Sequence, residues 1–188
     1  MLQFIGLLLG LLYLYWEYRA DRRVWLVGVV MPLNSLFVYW RAGLYADFGI
    51  NIYYLLIALY GYGCWRFGKK GAQRELPIRL TPLRAWPWLA LASAGLYGLL
   101  VWLLQNFTNS TVPYGDALNT ALSIVALWMM TRKWAEQWLV WLVVDAVSTG
   151  LYFYKGIPFY GVLYAVYTVV AWFGYREWLR RIRPSGVG

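Results

Sequence analysis

The sequence has no histidine, one cysteine and only 8 acidic residues among 188. Without histidine, and with Cys64 as the lone thiol, the chain offers no cluster of zinc ligands and no activated nucleophile. A single cysteine also excludes an internal disulfide. The phosphate-binding pattern GxxxxGK[ST] is missing as well. These absences predict that the protein is not an enzyme and has no catalytic residue, metal site or cofactor.

Apolar side chains dominate instead: 62% of the residues are hydrophobic, 20% are aromatic and 13% are charged. The core of a globular protein of this size cannot bury so many apolar groups. Seven apolar stretches approach the roughly 20 residues that a membrane-spanning helix needs, and helical hydrogen bonds would satisfy their backbone in lipid. We therefore predict an all-α integral membrane protein with seven transmembrane helices, at residues 2–18, 25–41, 49–66, 86–104, 113–131, 138–154 and 158–179.

The basic residues are concentrated on one side of this predicted topology. The net charge is +9, and with the N-terminus outside, 15 of the 17 lysines and arginines lie at cytoplasmic helix ends. Only Arg41 and Lys155 lie outside. The positive-inside rule therefore predicts an N-out, C-in orientation. The basic surplus also predicts contact with anionic membrane lipid rather than with nucleic acid.

The chain contains an internal repeat. Residues 25–65 recur without a gap as residues 138–178, and 12 of the 41 aligned pairs are identical, including both flanking tryptophans. Each copy holds three helices, so a lone fourth helix has to bring the chain back across the membrane. Such a duplication is typical of transporters whose site lies between two like bundles. It predicts a parallel 3+1+3 arrangement: a first bundle at 1–68, a basic cytoplasmic linker at 69–85, a linker helix at 86–106 and a second bundle at 112–183.

The sixth predicted helix carries the sharpest polar pattern. Trp138, Trp141, Asp145, Ser148 and Tyr152 are spaced by three or four residues, which places them on one face. Asp145 lies near the middle of the helix and so near the bilayer midplane. A carboxylate at that depth normally faces a partner, a wet cavity or a ligand. Asp145 is therefore either a ligand contact or the acceptor of a structural hydrogen bond from a neighbouring helix.

Polar and aromatic residues of neighbouring helices extend this pattern. Asn51 and Asn119 are membrane-buried amides, which either contact a ligand or hold helices together. Aromatic faces, a carboxylate and a few amides and hydroxyls suit a flat cationic or electron-poor ring attached to a hydroxylated group. No basic cluster lies at the midplane, so an unphosphorylated substrate is expected. The predicted substrate-binding residues are Asn51, Tyr54, Asn119, Ser123, Trp141, Asp145, Ser148, Tyr152, Tyr164 and Tyr167.

Several of these residues belong to longer motifs. They are Leu44-Tyr45-Ala46-Asp47, Asn51, Tyr54 and Tyr60-Gly61-Tyr62 in the first half, and Arg132-Lys133, Glu136, Trp138, Trp141, Asp145, Leu151-Tyr152, Tyr154-Lys155-Gly156, Leu163-Tyr164, Tyr167, Gly174 and Trp178 in the second. These motifs resemble the PnuC family of bacterial nicotinamide riboside transporters. The resemblance implies a multi-pass facilitator of the bacterial inner membrane, similar in fold to a SWEET transporter, that works as a homotrimer without ATP. Relatives that carry thiamine or riboflavin share this fold.

Two other functions are compatible with the sequence. A SWEET-like sugar carrier would be inhibited by plain sugars and indifferent to the ring. A membrane scaffold would present the basic segment 66–84 to a cytoplasmic partner. Coupling to an ion is a separate possibility, because buried acids such as Asp145 can carry protons or sodium.

Overall fold

The structure, a computed structural model, describes residues 2–42, 45–68, 76–108 and 110–182. The linker residues 69–75, Gly43, Leu44 and Arg183, which the sequence analysis used, lie outside this part of the chain. A short 3-10 helix, Leu83–Ala85, precedes α4. The α-helices of the described ranges are α1 (Leu2–Tyr18), α2 (Val24–Ala42), α3 (Tyr45–Phe67), α4 (Trp86–Phe107), α5 (Pro113–Thr131), α6 (Gln137–Tyr154) and α7 (Pro158–Ile182).

This order confirms the prediction of an all-α fold with seven helices. The predicted bounds agree with the observed helices to within about a turn. The largest difference is at the start of α3, which begins at Tyr45 rather than at residue 49. Helix α4 continues past residue 104 through Gln105 and Asn106, and α7 continues past residue 179 through Arg180 and Arg181. Arginine and glutamine are good helix formers, and cations near a helix C-terminus are favourable. The apolar run thus ends before the helix does.

Length and hydropathy alone single out one described helix as able to cross a membrane, Leu83–Phe107 with 25 residues. Each of the other described α-helices contains at least one charged residue, which lowers its mean hydropathy, whereas Trp86–Phe107 contains none; α1, with 17 residues, is also short. Large apolar side chains nevertheless cover their exposed faces, among them Phe37, Leu56 and Val162. Apolar surface of this extent is typical of proteins that lie in lipid or bind a partner.

The chain divides into two compact units. The first comprises residues 1–78 and the three-residue turn 131–133, and in it α2 packs along α3. The second comprises residues 79–130 and 134–188, and in it α6 packs along α7.

Each unit contains the same pair of tryptophans in the same geometry. Trp25 and Trp65 meet edge to face in the first unit, with ring centroids 5.5 Å apart and planes at 88°. Trp138 and Trp178 meet in the second unit at 5.9 Å and 85°. All four rings are fully buried. The repeat found in the sequence is therefore also a repeat of packing, which we call the tryptophan clamp.

A glycine lies directly against the first ring of each clamp. A Cβ atom on Gly61 would lie 2.5 Å from the ring of Trp25, and one on Gly174 would lie 2.7 Å from the ring of Trp138. No side chain fits at these distances, since real Cβ contacts lie beyond 3.0 Å. The identity of Gly61 and Gly174 in the alignment thus has a steric cause.

The turns that follow α1 and α5 also match. Ala20 and Lys133 both adopt a left-handed conformation, with φ of 55° and 52°. They are 113 residues apart, which is the shift of the repeat. Four backbone hydrogen bonds around the first turn recur 113 residues later, among them Asp21 N to Trp16 O and Trp134 N to Met129 O. Since non-glycine residues rarely have positive φ, the shared conformation shows that both copies retained one turn.

Lys133 is buried, with 3% of its surface exposed. Its Nζ donates a hydrogen bond to the carbonyl oxygen of Ala20 at 3.2 Å and lies 4.3 Å from the ring centroid of Trp65. The sequence analysis counted Lys133 among the basic residues at cytoplasmic helix ends. The structure shows in addition that its charge is held inside the first unit against a carbonyl group and an aromatic face.

In the second unit, the segment before α4 is tied to the turn before α6. The Glu136 carboxylate accepts hydrogen bonds from the Thr81 amide at 2.7 Å and from the Thr81 hydroxyl at 2.8 Å. The Ala135 amide donates to the carbonyl of Arg79 at 2.9 Å. Helix α4 then packs on α5 through Leu89, which joins a core formed by Val125 and Met129 of α5.

Candidate functional site

The predicted polar stripe of α6 is largely buried in the second unit. Trp138, Asp145 and Ser148 are buried, and only 7% of the surface of Asp145 is exposed. Within the described ranges, no hydrogen bond or ion pair reaches the Asp145 carboxylate. Burying a carboxylate without a partner is costly. The structure therefore provides an acidic group that is available to bind a donor or a cation.

Two tyrosines of α7 lie near this carboxylate, and a tyrosine of α6 stacks on one of them. Asp145 interacts electrostatically with the phenol groups of Tyr164 and Tyr167. Tyr164 stacks on Tyr152 with centroids 5.2 Å apart and planes at 12°, and meets Tyr167 edge to face at 5.6 Å and 71°. Four of the residues predicted to bind substrate thus lie in one cluster, which we call the Asp145 cluster: Tyr152, Tyr164, Tyr167 and Asp145 itself.

Helix α5 adds amide and hydroxyl groups. The Ser148 hydroxyl donates to the side-chain oxygen of Asn119 at 3.2 Å and so joins α6 to α5. The Ser123 hydroxyl donates to the backbone carbonyl of Asn119 at 2.8 Å. The Ser123 donor is thus already used within its own helix. Among the described residues no acceptor takes the Asn119 NH₂ group, which makes Asn119 the stronger candidate for a ligand contact on α5.

Trp141 adds a buried donor one turn before Asp145. Its indole Nε1 has no hydrogen-bond acceptor in the described part of the protein. The same is true of Trp25 and Trp138 of the clamps, so a lone indole N–H is not by itself the mark of a site. Trp141 differs because the first copy has Gly28 at the matching position. An aromatic donor beside the carboxylate therefore exists in one copy alone.

An ion pair that the sequence analysis did not foresee closes one end of the α5–α6 pair. Lys155 Nζ lies 2.9 Å from the Asp116 carboxylate, which also accepts a hydrogen bond from the Ser110 hydroxyl at 2.8 Å. The helices approach closely there, because a Cβ atom on Gly115 would lie 2.7 Å from the Leu151 side chain. The two ions are 39 residues apart in sequence, and no spacing rule links them.

The first unit holds the other two predicted site residues. Asn51 and Tyr54 lie on α3, where both side chains are partly buried, and Tyr54 lies against Tyr53 with centroids 5.8 Å apart. The eight remaining predicted residues all belong to α5, α6 and α7 of the second unit. The structure therefore places most of the predicted set in a single bundle.

The side chains of the predicted site residues are suited to binding a ligand. They offer a carboxylate, an amide donor, an indole donor and several flat phenol faces. In the described part of the chain, no three His, Cys, Asp or Glu side chains lie close enough together to hold a metal ion. A polar ligand with a planar ring would satisfy both the carboxylate and the donors.

Comparison with known proteins agrees with this chemistry. The family profile described as nicotinamide mononucleotide transporter matches residues 1–180. The nicotinamide riboside transporter PnuC of Escherichia coli is 25% identical over 79% of this chain and 72% of its own length. The riboflavin/roseoflavin transporter RibM of Streptomyces davaonensis is 29% identical over 95% of this chain and 84% of its own length.

The fold has a solved counterpart. The crystal structure of the vitamin B3 transporter PnuC superposes with a TM-score of 0.68 and covers 93% of this chain and 78% of that structure, at 22% identity. Together with the family match over residues 1–180, this confirms the predicted resemblance. The chain belongs to the nicotinamide mononucleotide transporter family, the membrane transporters that include PnuC, and is not an enzyme.

Proposed function

We propose that the protein carries nicotinamide riboside across the bacterial inner membrane, and that the Asp145 cluster binds its pyridinium ring. The observation that carries this proposal is the burial of the Asp145 carboxylate with no ionic partner in the described part of the protein. A cationic ring supplies that partner. The phenol faces of Tyr152 and Tyr164 offer it stacking and cation–π attraction, and the Asn119 amide is suited to a ribose hydroxyl.

The same carboxylate favours the riboside over its phosphate ester. A phosphate group beside Asp145 would meet a like charge in a poorly solvated site. Lys155 is ten residues away, which is about 15 Å along α6, and it is already paired with Asp116. We therefore expect the mononucleotide, which the family's description mentions, to bind much more weakly than the riboside.

Riboflavin is the second candidate substrate, because RibM is 29% identical and matches 95% of the chain. The flat ring system of a flavin suits the stacked tyrosines equally well. It carries no positive charge, however, and leaves Asp145 without a partner. The two candidates therefore differ in their dependence on the carboxylate.

Titration calorimetry of the purified protein in detergent distinguishes these substrates. Nicotinamide riboside, its mononucleotide, riboflavin, thiamine and ribose are titrated in turn. Tightest binding of the riboside, with the mononucleotide weaker by at least tenfold, supports the proposal. Tightest binding of riboflavin would replace it with the second candidate, and competition by ribose alone would indicate a sugar carrier.

The proposed architecture is the parallel 3+1+3 duplication with the N-terminus outside and the domain bounds predicted above. We propose that the substrate site lies between the two copies, in a homotrimer that works without ATP or an ion gradient. Light scattering of the detergent-solubilised protein measures the oligomer. Uptake into vesicles whose ion gradients have been collapsed should be unchanged for a facilitator, and a loss of uptake would indicate coupling.

Thiol labelling tests the orientation. After replacement of the native Cys64 by serine, single cysteines are placed at Tyr154 and at Leu83, whose side chains are 77% and 87% exposed. The orientation predicts that a membrane-impermeant maleimide added to intact spheroplasts labels the cysteine at 154 and spares the one at 83. The reverse pattern would invert the topology.

A further inference from the structure

Tyr152 contacts a third ring in addition to those of the Asp145 cluster. Tyr160 stacks on Tyr152 with centroids 5.4 Å apart and planes at 27°, while Tyr164 stacks on Tyr152 at 5.2 Å and 12°. Centroid distances of this size are those of offset stacking, in which each neighbour covers part of a ring face. In this conformation Tyr160 and Tyr164 therefore both occupy surface of the Tyr152 ring that a planar ligand would use.

The two neighbours of Tyr152 lie in different surroundings. Tyr164 lies on the inner side, within electrostatic reach of the buried Asp145. Tyr160 lies in the first turn of α7, with 37% of its surface exposed, and its other ring contact is an edge-to-face contact with the exposed Phe159. The Tyr152 ring thus contacts one tyrosine that is partly exposed and another that lies within electrostatic reach of the carboxylate.

Helices α6 and α7 are held close together beside Tyr160. A Cβ atom on the adjacent Gly161 would lie 2.9 Å from the ring of Phe153, so α6 and α7 are in close contact at this level. The turn between them is closed by hydrogen bonds from Gly156 N to Phe153 O at 3.1 Å and from Ile157 N to Tyr152 O at 2.9 Å. Rotation of the partly exposed Tyr160 side chain is therefore the motion that would open its contact with Tyr152 without moving a helix.

We propose that Tyr160 occupies the Tyr152 ring in the unloaded transporter, and that the planar ring of the substrate, which stacks on Tyr152 within reach of Asp145, displaces Tyr160 from it. This inference rests on the proposed function and adds Tyr160 as a residue that selects for planar rings. A cationic ring replaces a phenol ring favourably, because the face of Tyr152 is electron-rich. A sugar has no planar face to offer and leaves the Tyr160 contact in place.

If the substrate displaces Tyr160, removal of the Tyr160 ring should raise the affinity for the substrate, whereas removal of an ordinary contact residue lowers it. If Tyr160 competes with the substrate, Tyr160→Ala removes the competitor and tightens binding. An aromatic pair is worth about 0.5 to 1.5 kcal/mol, so the expected gain in affinity is about 2- to 12-fold. If Tyr160 instead contributes a face to the bound ring, the same substitution weakens binding.

The experiment compares three variants with the unmodified protein by calorimetry in detergent. We expect Tyr160→Ala to bind nicotinamide riboside more tightly, with faster association in stopped flow, and Tyr160→Phe, which keeps the ring, to bind as the unmodified protein does. The control is Tyr154→Ala, whose side chain is 77% exposed at the same end of α6, and its affinity should not change. Unchanged or weaker binding by Tyr160→Ala overturns the inference.

A failure of the proposed function is distinguishable from a failure of this inference, because it appears as the absence of riboside binding by the unmodified protein. In that case the same variants are titrated with riboflavin, for which displacement again predicts tighter binding by Tyr160→Ala. Binding of no planar vitamin by the unmodified protein would overturn both.

Discussion

Replacement of Asp145 by asparagine is the sharpest test of the site. Asn preserves the volume of the side chain and removes its charge. At 4 Å and an effective dielectric constant of 20, the attraction between the carboxylate and a pyridinium cation is about 4 kcal/mol. Part of this is lost to desolvation, and contacts to a charged group leave a net contribution of about 1.5 to 3 kcal/mol. We therefore expect Asp145→Asn to weaken riboside binding by about 10- to 150-fold.

The assay is calorimetry combined with thermal unfolding of the same samples. Because the Asp145 carboxylate is buried and has no partner among the described residues, its neutralisation should leave the unloaded protein as stable as before, or more stable. Asp116→Asn is the matched control: it removes a carboxylate from the same bundle, but one that is 30% exposed and paired with Lys155. Its riboside affinity should change by less than about twofold, since exposed ion pairs contribute little.

Two results would refute this reasoning. Binding by Asp145→Asn within about twofold of the unmodified protein would show that the carboxylate does not face the ring. A clear fall in melting temperature without ligand would show that Asp145 holds helices together. The reduced riboside, whose ring is uncharged, gives an independent check, because it should lose affinity for the unmodified protein but bind Asp145→Asn with little further loss.

Two further predictions concern the scaffold and are measured by thermal unfolding in detergent. Gly61→Ala and Gly174→Ala should each destabilise the protein by about 1 to 3 kcal/mol through overpacking, since the new Cβ would lie 2.5 and 2.7 Å from a clamp tryptophan. Gly63→Ala is the control, because a Cβ there would have nothing within 4 Å. Equal effects at all three positions would contradict the steric argument. Lys133→Met should lower the free energy of unfolding by about 1 to 3 kcal/mol, because it leaves the buried Ala20 carbonyl without its donor. Lys155→Met, at a side chain that is 30% exposed, should lower it by less than about 1 kcal/mol. A larger effect at Lys155 would contradict the role assigned to Lys133.

The helices could be predicted because helix formation depends mainly on residues that are close together in the sequence. A run of apolar residues ended by glycine, proline or charge defines a helix without knowledge of its neighbours, and α5 has the predicted bounds of 113 and 131. The repeat was also visible, since both clamps retained identical tryptophans and glycines. The helical ends at Phe107 and Ile182 were missed because polar residues continue a helix in water as well as apolar ones do in lipid.

The sequence predicted which side chains share a face of α6, but not which contacts they make. Spacing by three and four residues identified the Asp145 face of α6. It did not show that Ser123 bonds to its own helix or that Tyr160 covers Tyr152, because each depends on side-chain orientation. The pairing of Lys155 with Asp116 and the burial of Lys133 join residues far apart in sequence. A single sequence carries no signal for such pairs.

The tryptophan clamp also bears on the order in which the protein is made. Trp25, Gly61 and Trp65 all belong to one pair of consecutive helices, α2 and α3. The ribosome completes this pair before it begins α4, and closing the clamp requires no residue synthesised later. The Trp25–Trp65 contact can therefore form while the rest of the chain is still being translated, whereas Lys133, whose Nζ lies 4.3 Å from the Trp65 ring centroid, is added later. The second hairpin repeats the same step about 113 residues later. Duplication thus provided the protein with two independent starting points for assembly in the membrane.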